Sequence, residues 1–218
     1  ARAALDALQA GGARVVVAQA NVARHDQMQR ALAAAGDSMP PLRGVVHLAG
    51  VLDDGVLVKQ TWDRFEKVMA PKVDGAWVLH QLTRGQPLDF FVCYSSIASV
   101  IGSPGQANYA AANAFLDALA TYRTASGLPA VSIAWGPWAY GMTARVEDRV
   151  RARLSKTVRR PIRRSHAAQV ARRFTQATAK QGSRPSRCRW SVQILKTMHC
   201  VSGSSITASS LSAKNSVN

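Results

Sequence analysis

The segments Gly44-Val-Val-His-Leu-Ala49 and Leu88-Asp-Phe-Phe-Val-Cys-Tyr94 decide the fold class. Both are short runs of mostly apolar residues, which is typical of parallel strands that helices cover on both faces. Between them, residues 61–82 carry apolar side chains at helical spacing, and we expect Pro71 to bend or restart that helix. These segments therefore predict a strand, a helix and a second strand.

The same alternation extends in both directions along the chain. Residues 14–19 and 130–135 are predicted strands, and residues 26–35 and 108–126 are predicted helices. Alternating strands and helices imply right-handed crossovers, so the predicted fold is α/β, a Rossmann-like doubly wound parallel sheet. Ligands bind such sheets beyond the carboxyl ends of the strands. Those ends are predicted at residues 49–50, 94–96 and 135–137.

Of the net charge of +16, +14 lies in the last third of the chain. Residues 1–145 hold 12 Lys and Arg against 10 Asp and Glu, whereas residues 146–218 hold 16 against 2. We therefore predict one α/β domain over residues 1–145 and a basic tail without clear fold over residues 146–218. A frameshifted gene product is one hypothesis for that tail, and a nucleic-acid-binding arm at Arg159–Arg189 is a less favoured one.

Cysteine spacing and hydropathy indicate neither a metal site nor a membrane segment. The three cysteines Cys93, Cys188 and Cys200 have no metal-ligand spacing, and their odd number argues against a disulfide framework. No apolar run approaches the roughly 20 residues that a membrane span requires. The sequence therefore predicts a soluble, cytoplasmic protein without a membrane partner.

Ser95, Ser96, Tyr109 and Asn113 are candidates for chemistry at the ligand-binding edge. The two serines close a predicted strand, although an isolated pair more often only starts a turn. Tyr109 and Asn113 are four residues apart on a predicted helix and therefore share one face. Tyr109 taken alone would more often be a core or rim aromatic.

Lys72 is the candidate cation for this group of residues. A phenol with a pKa near 10 is a poor acid at neutral pH, and a nearby ammonium that favours phenolate makes proton release easier. Taken alone, a lysine within a helix is more often a solvated charge. The combination with Tyr109 makes a catalytic role the better hypothesis.

The segment from Ser95 to Asn113 contains Ser-Ser-Ile-Ala-Ser-Val-Ile-Gly-Ser-Pro-Gly-Gln-Ala-Asn-Tyr-Ala-Ala-Ala-Asn, and it resembles the ketoreductase domains of modular polyketide synthases. Most members of their short-chain dehydrogenase superfamily carry lysine four residues after the tyrosine. These ketoreductases carry asparagine there and take the lysine from the preceding helix, as Asn113 and Lys72 do here. The segments 71–76 and 135–138 are also similar, so the resemblance extends from about residue 1 to residue 144.

The resemblance implies NADPH-dependent reduction of a β-ketoacyl thioester to a β-hydroxyacyl thioester, in polyketide or fatty-acid-like chain assembly. It implies that Tyr109 protonates the forming alkoxide and that Ser96 is a second donor to the carbonyl oxygen. Lys72 would lower the pKa of the phenol, and Asn113 would orient neighbouring groups or a relay water. The implied partners are an acyl carrier protein that bears the substrate and the other domains of the synthase.

The resemblance also implies residues for the cofactor and for the substrate. The residues expected at the cofactor are His47, Ala49, Gly50, Ser95, Trp135, Gly136 and Pro137. Those expected at the substrate are Leu52, Asp53, Asp54 and Trp138. Leu52-Asp53-Asp54 resembles the marker of B-type enzymes, which yield D-configured alcohols, and Ile101 stands where the opposite class tends to carry tryptophan. Without the resemblance, the two aspartates predict only a polar loop.

One part of the family's pattern is not found. Its domains begin with a strand, a glycine-rich turn and a helix that hold the pyrophosphate of the cofactor. In this sequence Gly11-Gly12 precedes a predicted strand, and no GxGxxG occurs. We therefore expect the first βαβ unit to be missing and binding of NADPH to be weakened or lost. A catalytically inactive fragment is accordingly the alternative to an active reductase.

Overall fold

The computed structural model describes residues 2–137 and the backbone of residues 192–196. Contacts divide the chain into two units, one from Gln19 to Gly136 and one formed by Ala1–Ala18 and Pro137–Asn218. In chain order the elements are α1 (Arg2–Ala10), β1 (Val15–Gln19), α2 (His25–Gly36), β2 (Gly44–His47), a 3-10 turn (Leu57–Lys59), α3 (Trp62–Thr83), β3 (Phe90–Ser96), α4 (Ala98–Ile101), α5 (Ala107–Ala125), β4 (Val131–Trp135) and β5 (Val192–Lys196).

A three-stranded parallel sheet of order β2-β3-β4 forms the centre of the unit from Gln19 to Gly136. The register pairs His47 with Cys93 and Ser96 with Trp135. The carboxyl ends of all three strands therefore lie at one edge. This arrangement confirms the predicted α/β class with a parallel, Rossmann-like sheet.

Strand β3 lies two residues further along the chain than its predicted position. Residues 88–94 were expected in the strand, but it runs from Phe90 to Ser96. Leu88 instead closes a turn, with its N–H donating to the Gln86 carbonyl at 2.8 Å. The ladder with β4 continues through Ser96, because pairing with a neighbouring strand satisfies backbone groups whatever the polarity of the side chain.

Helix α3 is one continuous helix, so Pro71 does not restart it. A proline inside a helix removes one backbone hydrogen bond and costs about 3 kcal/mol. Here the helix buries Val68, Val78 and Leu79 on either side of the proline, and burial of each large apolar side chain contributes about 1.5–3 kcal/mol. Packing therefore outweighs the penalty. The uninterrupted helix brings Lys72 to the sheet.

Helix α3 packs on α5, and α5 packs on β3 and β4. Phe91 and Cys93 of β3 are fully buried, as are Ala112 and Leu116 of α5. None of the described helices is both long and apolar enough to cross a bilayer. The packed face of α5 continues toward its first turn, which carries Tyr109.

In the other unit, β1 is hydrogen-bonded to β5. Strand β1 corresponds to the strand predicted at residues 14–19, and β5 is an element of the 146–218 segment that the sequence did not predict. The remainder of that segment, including Arg159–Arg189, lies outside the described residues. Trp138 also lies outside them.

Candidate active site

The Tyr109 side chain is the centre of the candidate site. It lies in the first turn of α5, and burial raises the pKa of its phenol. Hydrogen bonding with the Ser96 and Asn113 side chains acts in the opposite direction, and the charge of Asp54 adds to the increase. The structure therefore brings together around one phenol three side chains that the sequence selected.

The two serines at the end of β3 have different environments because successive side chains of a strand point to opposite faces. Ser95 is buried, and its hydroxyl donates to the Asn113 carbonyl at 3.3 Å. The Ser96 hydroxyl accepts the Ala98 N–H at 3.2 Å. An accepting hydroxyl keeps its own proton for another acceptor. Ser96 is therefore the donor available beside Tyr109, while Ser95 fixes the strand to α5.

Asn113 is fully buried one turn after Tyr109. Its Nδ2 donates to the Tyr109 carbonyl at 2.7 Å. Its Oδ1 is buried and has no hydrogen-bond partner in the described part of the chain. A buried acceptor without a partner costs about 1–3 kcal/mol, so a donor is needed at this position. The orienting role expected for Asn113 remains a prediction.

Lys72 is 3% exposed and reaches from α3 across the end of the sheet. Its Nζ donates to the Tyr94 carbonyl at 3.0 Å and lies 5.5 Å from the centroid of the Tyr109 ring. Burial lowers the pKa of Lys72 to about 8, and the charges of Cys93 and Asp117 oppose that decrease. The ammonium is thus close to the phenol and easily deprotonated.

Gly50 makes room for the Lys72 side chain. A Cβ placed on Gly50 would lie 3.1 Å from Lys72 Cε and 3.6 Å from Nζ. The resemblance implies that Gly50 contacts the cofactor, and that contact stays a prediction. In the structure, a side chain at Gly50 would crowd Lys72, so the glycine leaves the space that the lysine occupies.

His47 lies beneath this lysine at the end of β2. It is 3% exposed, and its Nε2 is buried without a partner in the described residues. Burial and the Lys72 charge lower its pKa to about 3. The imidazole is therefore neutral at physiological pH and adds no second positive charge beside Lys72. A cofactor contact through His47 stays a prediction.

The loop with the two aspartates is held firmly against α3. Asp53 accepts from Arg64 Nε at 2.8 Å and from Lys67 Nζ at 2.9 Å. These two partners, of which Lys67 has the larger effect, lower the pKa of the Asp53 carboxyl although burial opposes them. The ionised Asp53 carboxylate therefore holds the loop to α3 through these two basic side chains.

Asp54 faces the first turn of α5. Its carboxylate accepts from Gln106 Nε2 at 3.0 Å, and burial raises its pKa. Next to it, the Gly55 N–H donates to the Gly105 carbonyl at 2.8 Å. Gly105 has φ +80°, a conformation that L side chains rarely adopt. The loop and the turn before α5 therefore form one wall beside Tyr109.

Asn108 also belongs to this site, and the sequence did not predict it. It is fully buried, and its Oδ1 accepts the Tyr109 N–H at 2.8 Å. Its Nδ2 lies 2.9 Å from the Asp53 carbonyl and 3.3 Å from both Gln60 Oε1 and the Arg64 carbonyl. The sequence feature that could have identified Asn108 is an amide side chain directly before the tyrosine in an alanine-rich helix.

The remaining predicted residues are less tightly connected to Tyr109. Trp135 is buried at the end of β4, with its ring centroid 5.3 Å from that of Tyr94. Ala49 and Leu52 are half-buried in the segment that follows β2. Ile101 is 59% exposed on α4. Gly136 and Pro137 follow β4 directly, and Trp138 lies outside the described residues.

This arrangement can transfer a proton to an oxygen atom that gains negative charge. It provides a phenol, a hydroxyl with an available proton and an ammonium group at one edge of the sheet. Donors fixed in advance where charge develops are a main source of catalysis in polar reactions.

A family model described as KR domain matches residues 1–140. The curated protein named Phenolphthiocerol synthesis polyketide synthase type I Pks15/1, from Mycobacterium marinum, is 46% identical over 157 residues, which are 71% of this chain and 8% of that protein. The chain spans a tenth or less of the length of such curated relatives.

Solved structures of ketoreductases share the fold. A ketoreductase domain from the bacillaene assembly line has a TM-score of 0.71 and 31% identity, and the match covers 82% of this chain and 43% of that one. The first ketoreductase of the tylosin PKS has a TM-score of 0.57 and 42% identity, with 73% of this chain and 33% of that one covered.

Proposed function

The chain belongs to the KR domain family, the polyketide synthase ketoreductases of the short-chain dehydrogenase superfamily, and from that premise we propose that it reduces a β-ketoacyl thioester to a β-hydroxyacyl thioester. The observation that carries the proposal is the environment of Tyr109. Its phenol interacts with Ser96 and Asn113 and lies above the buried Lys72 ammonium. The proposed domain extends over residues 1–145.

In the proposed reaction, Tyr109 donates its proton to the alkoxide that forms from the keto group. Ser96 holds the same oxygen as a second donor, because its hydroxyl accepts the Ala98 N–H and keeps its proton for the substrate. Two donors at the developing negative charge lower the barrier more than one. Asn113 fixes the backbone of Tyr109 through its 2.7 Å hydrogen bond.

Lys72 stabilises the phenolate that remains after proton transfer. Burial raises the pKa of Tyr109 and so disfavours phenolate, whereas an ammonium within a few ångströms favours it. Because burial also lowers the pKa of Lys72 to about 8, the charged form persists at neutral pH and is lost in mild alkali. Reduction therefore requires protonated Lys72.

The proposed cofactor is NADPH, which supplies a hydride to the keto carbon when it is bound. The hydroxyl of Tyr109 and the ammonium of Lys72 are donors that fit the hydroxyl groups of a nicotinamide ribose. Fit to the pyrophosphate is not found, because no described helix follows a glycine-rich turn that itself follows a strand. The contacts with the cofactor that the resemblance implies remain proposals.

The substrate is proposed to be bound to an acyl carrier protein of a polyketide synthase. The loop at Asp53 and Asp54 is held by α3 and by Gln106, so it offers the substrate a rigid wall beside Tyr109. A rigid wall on one side of the keto group favours attack on one face. We propose that this face gives B-type stereochemistry.

The test compares the full chain with Tyr109→Phe and with Tyr122→Phe, an exposed tyrosine of the same helix. We expect oxidation of NADPH by a model β-ketothioester to fall at least about 100-fold in Tyr109→Phe, since positioned acid–base groups contribute about 10²–10⁴-fold. Tyr122→Phe should retain activity. Equal activity in both variants would exclude Tyr109 as the proton donor.

A second candidate function is a folded chain that does not reduce ketones unaided. It is the alternative that the sequence left open. Titration with NADPH, followed by the fluorescence of the nicotinamide, separates the two candidates. If the fluorescence does not change at millimolar NADPH and the chain is folded, the chain does not reduce ketones unaided. A saturable change in fluorescence together with turnover of the ketone establishes the reductase.

A further inference from the structure

Helix α4 buries too little apolar surface to be held in place by packing. It comprises the four residues Ala98–Ile101, of which only Ala98 is buried. Val100 and Ile101 are 69% and 59% exposed. Because burial of an apolar face is what usually fixes a helix to its neighbours, another interaction is needed to hold α4 against the sheet.

A carboxylate on α5 provides that interaction. Asp117 Oδ2 accepts from the Ser99 hydroxyl of α4 at 2.6 Å, and Asp117 Oδ1 accepts from the Ser132 hydroxyl of β4 at 2.5 Å. A carboxylate only accepts hydrogen bonds, and hydrogen bonds to such an acceptor are stronger than those between neutral groups. Asp117 therefore joins α4, α5 and the sheet at one point.

The position of α4 determines the surroundings of Ser96. Ala98 is the first residue of α4, so its N–H has no intrahelical acceptor. This N–H instead donates to Ser96 Oγ at 3.2 Å, and Ser99 Oγ lies 2.8 Å from the Ser96 carbonyl oxygen. Both polar groups of Ser96 that face α4 are thus in contact with it. The direction of the Ser96 hydroxyl therefore depends on where α4 is held.

We propose that Asp117 is a positioning residue of the active site, which holds α4 through Ser99 and thereby fixes the direction of the Ser96 hydroxyl. The proposal rests on the proposed function only in that Ser96 donates to the substrate oxygen there. The links from Asp117 to Ser96 are hydrogen bonds of the folded chain, so they can be measured whether or not the chain reduces a ketone. The site then extends along α5 by about two helical turns beyond Tyr109.

The test follows hydrogen exchange of the Ala98 N–H by NMR of the full chain, labelled with ¹³C at isoleucine carbonyls and with ¹⁵N at alanine. Isoleucine precedes alanine only at 97–98 and 133–134, so two signals are selected, and Ile133→Val identifies the second. Ser99→Ala keeps the carboxylate but removes its link to α4. Exchange of the Ala98 N–H should therefore become about 10-fold faster in this variant.

Thr121→Val is the matched control, because the Thr121 hydroxyl donates within α5, to the Asp117 carbonyl at 3.1 Å. Loss of that hydroxyl should leave exchange of the Ala98 N–H unchanged. Asp117→Ala removes the carboxylate itself and should accelerate exchange at least as much as Ser99→Ala, which serves alone if Asp117→Ala does not fold. Exchange that is no faster in Ser99→Ala than in Thr121→Val overturns the proposal.

In an active chain, a double-mutant cycle shows whether Ser99 acts through Ser96. We expect Ser99→Ala to lower kcat about 10-fold in the wild type and to have no further effect in Ser96→Ala, because the hydroxyl that it positions is then absent. A general loss of packing would lower kcat equally in both backgrounds, and that result overturns the proposal. If the wild-type chain reduces no ketone while Ser99→Ala accelerates exchange of the Ala98 N–H, only the proposed function fails.

Discussion

Two regions of the molecule bury a cation beside a histidine, and they use it differently. Lys72 is 3% exposed next to His47 at the carboxyl edge of the sheet. Arg123 is fully buried next to His80, at the junction of α3 and α5. Burying a charge costs several kcal/mol unless other groups compensate, so both regions need an explanation.

The two cations differ in the groups that surround them. Arg123 directs Nη1 to His80 Nδ1 at 2.9 Å and Nε to the Pro129 carbonyl at 3.4 Å, and it stacks 4.0 Å from the Phe91 ring centroid. Lys72 forms one hydrogen bond within the described residues, to the Tyr94 carbonyl. A guanidinium that holds an imidazole and a carbonyl from separate segments and stacks on a ring stabilises a junction, whereas an ammonium beside a phenol is suited to chemistry.

The largest expected effect on stability is that of Arg123→Met. The substitution keeps the apolar stem but leaves two acceptors without their donor, one on buried His80 and one on half-buried Pro129. Each such loss costs about 1–3 kcal/mol, so the free energy of unfolding should fall by about 3 kcal/mol. Urea denaturation measures it, with Arg30→Met, an exposed residue of α2, as the control. Equal stability of the two variants would contradict a structural role for Arg123.

Lys72→Met should show the opposite pattern, with a large loss of activity and little loss of stability. Without the ammonium, phenolate at Tyr109 is no longer stabilised, and we expect kcat/KM for the ketone to fall about 100-fold. One acceptor is left unpaired, but the cost of burying a charge is removed as well. Steady-state kinetics and thermal melts on the same samples provide the comparison.

The matched control for this variant is Lys59→Met, because Lys59 is exposed in the 3-10 turn. It should change neither activity nor melting temperature. If Lys72→Met instead lost as much stability as Arg123→Met and kept its activity per folded molecule, the two cations would have the same role. The distinction between the regions would then be wrong.

Sequence patterns predicted the lysine region better than the arginine region. The strand–helix alternation gave the parallel sheet, and the resemblance around Tyr109 selected Ser96, Asn113 and Lys72, which the structure brings together. Periodicity succeeded because elements of one sheet place their carboxyl ends at one edge. Arg123 could not be found this way, since its partners come from distant segments and only packing joins them.

The details that the sequence missed all depend on contacts between segments. Pro71 was expected to bend or restart α3, and burial on both sides of it keeps the helix continuous, so the helix does not restart there. Asn108 was not selected because an amide in a helix is usually solvated. Only the loop that faces it reveals its role.

Acid should destabilise the lysine region through His47. The pKa of His47 is about 3 in the folded chain, below its value of 6.5 in the unfolded chain, so the unfolded chain takes up the proton first. The stabilisation is complete above pH 6.5 and decreases as pH falls. One proton corresponds to about 1.4 kcal/mol per pH unit, or about 2 kcal/mol between pH 6.5 and 5.

Urea denaturation at pH 7, 6 and 5 measures this slope in the wild type, in His47→Gln and in His25→Asn. His25 is exposed at the start of α2, and His25→Asn is the control for replacing a histidine. His47→Gln should be less stable at pH 7 but should have a flatter slope. An unchanged slope in His47→Gln would show that another group takes up the proton.

The smallest expected effect is that of His80, and it distinguishes the two histidines. Burial lowers the pKa of His80, and the charges of Arg123 and Arg84 lower it further. Its Nδ1 faces the Arg123 guanidinium, so it must act as the acceptor and therefore be unprotonated. The stabilisation from His80 is thus present above pH 6.5 and is lost as pH falls below it, which is the same sign as for His47.

A His47→Gln background isolates this contribution, since the larger slope is absent there. His80→Gln in that background keeps an amide oxygen that can accept from Arg123 but cannot titrate, so the remaining pH dependence between pH 7 and 5 should decrease further. Addition of Arg123→Met should remove the stabilisation from the glutamine oxygen, because the guanidinium that donates to it is gone. If His80→Gln changes the slope equally with and without Arg123, His80 titrates independently of the guanidinium. The pairing of a buried cation with a neutral histidine would then not hold for Arg123.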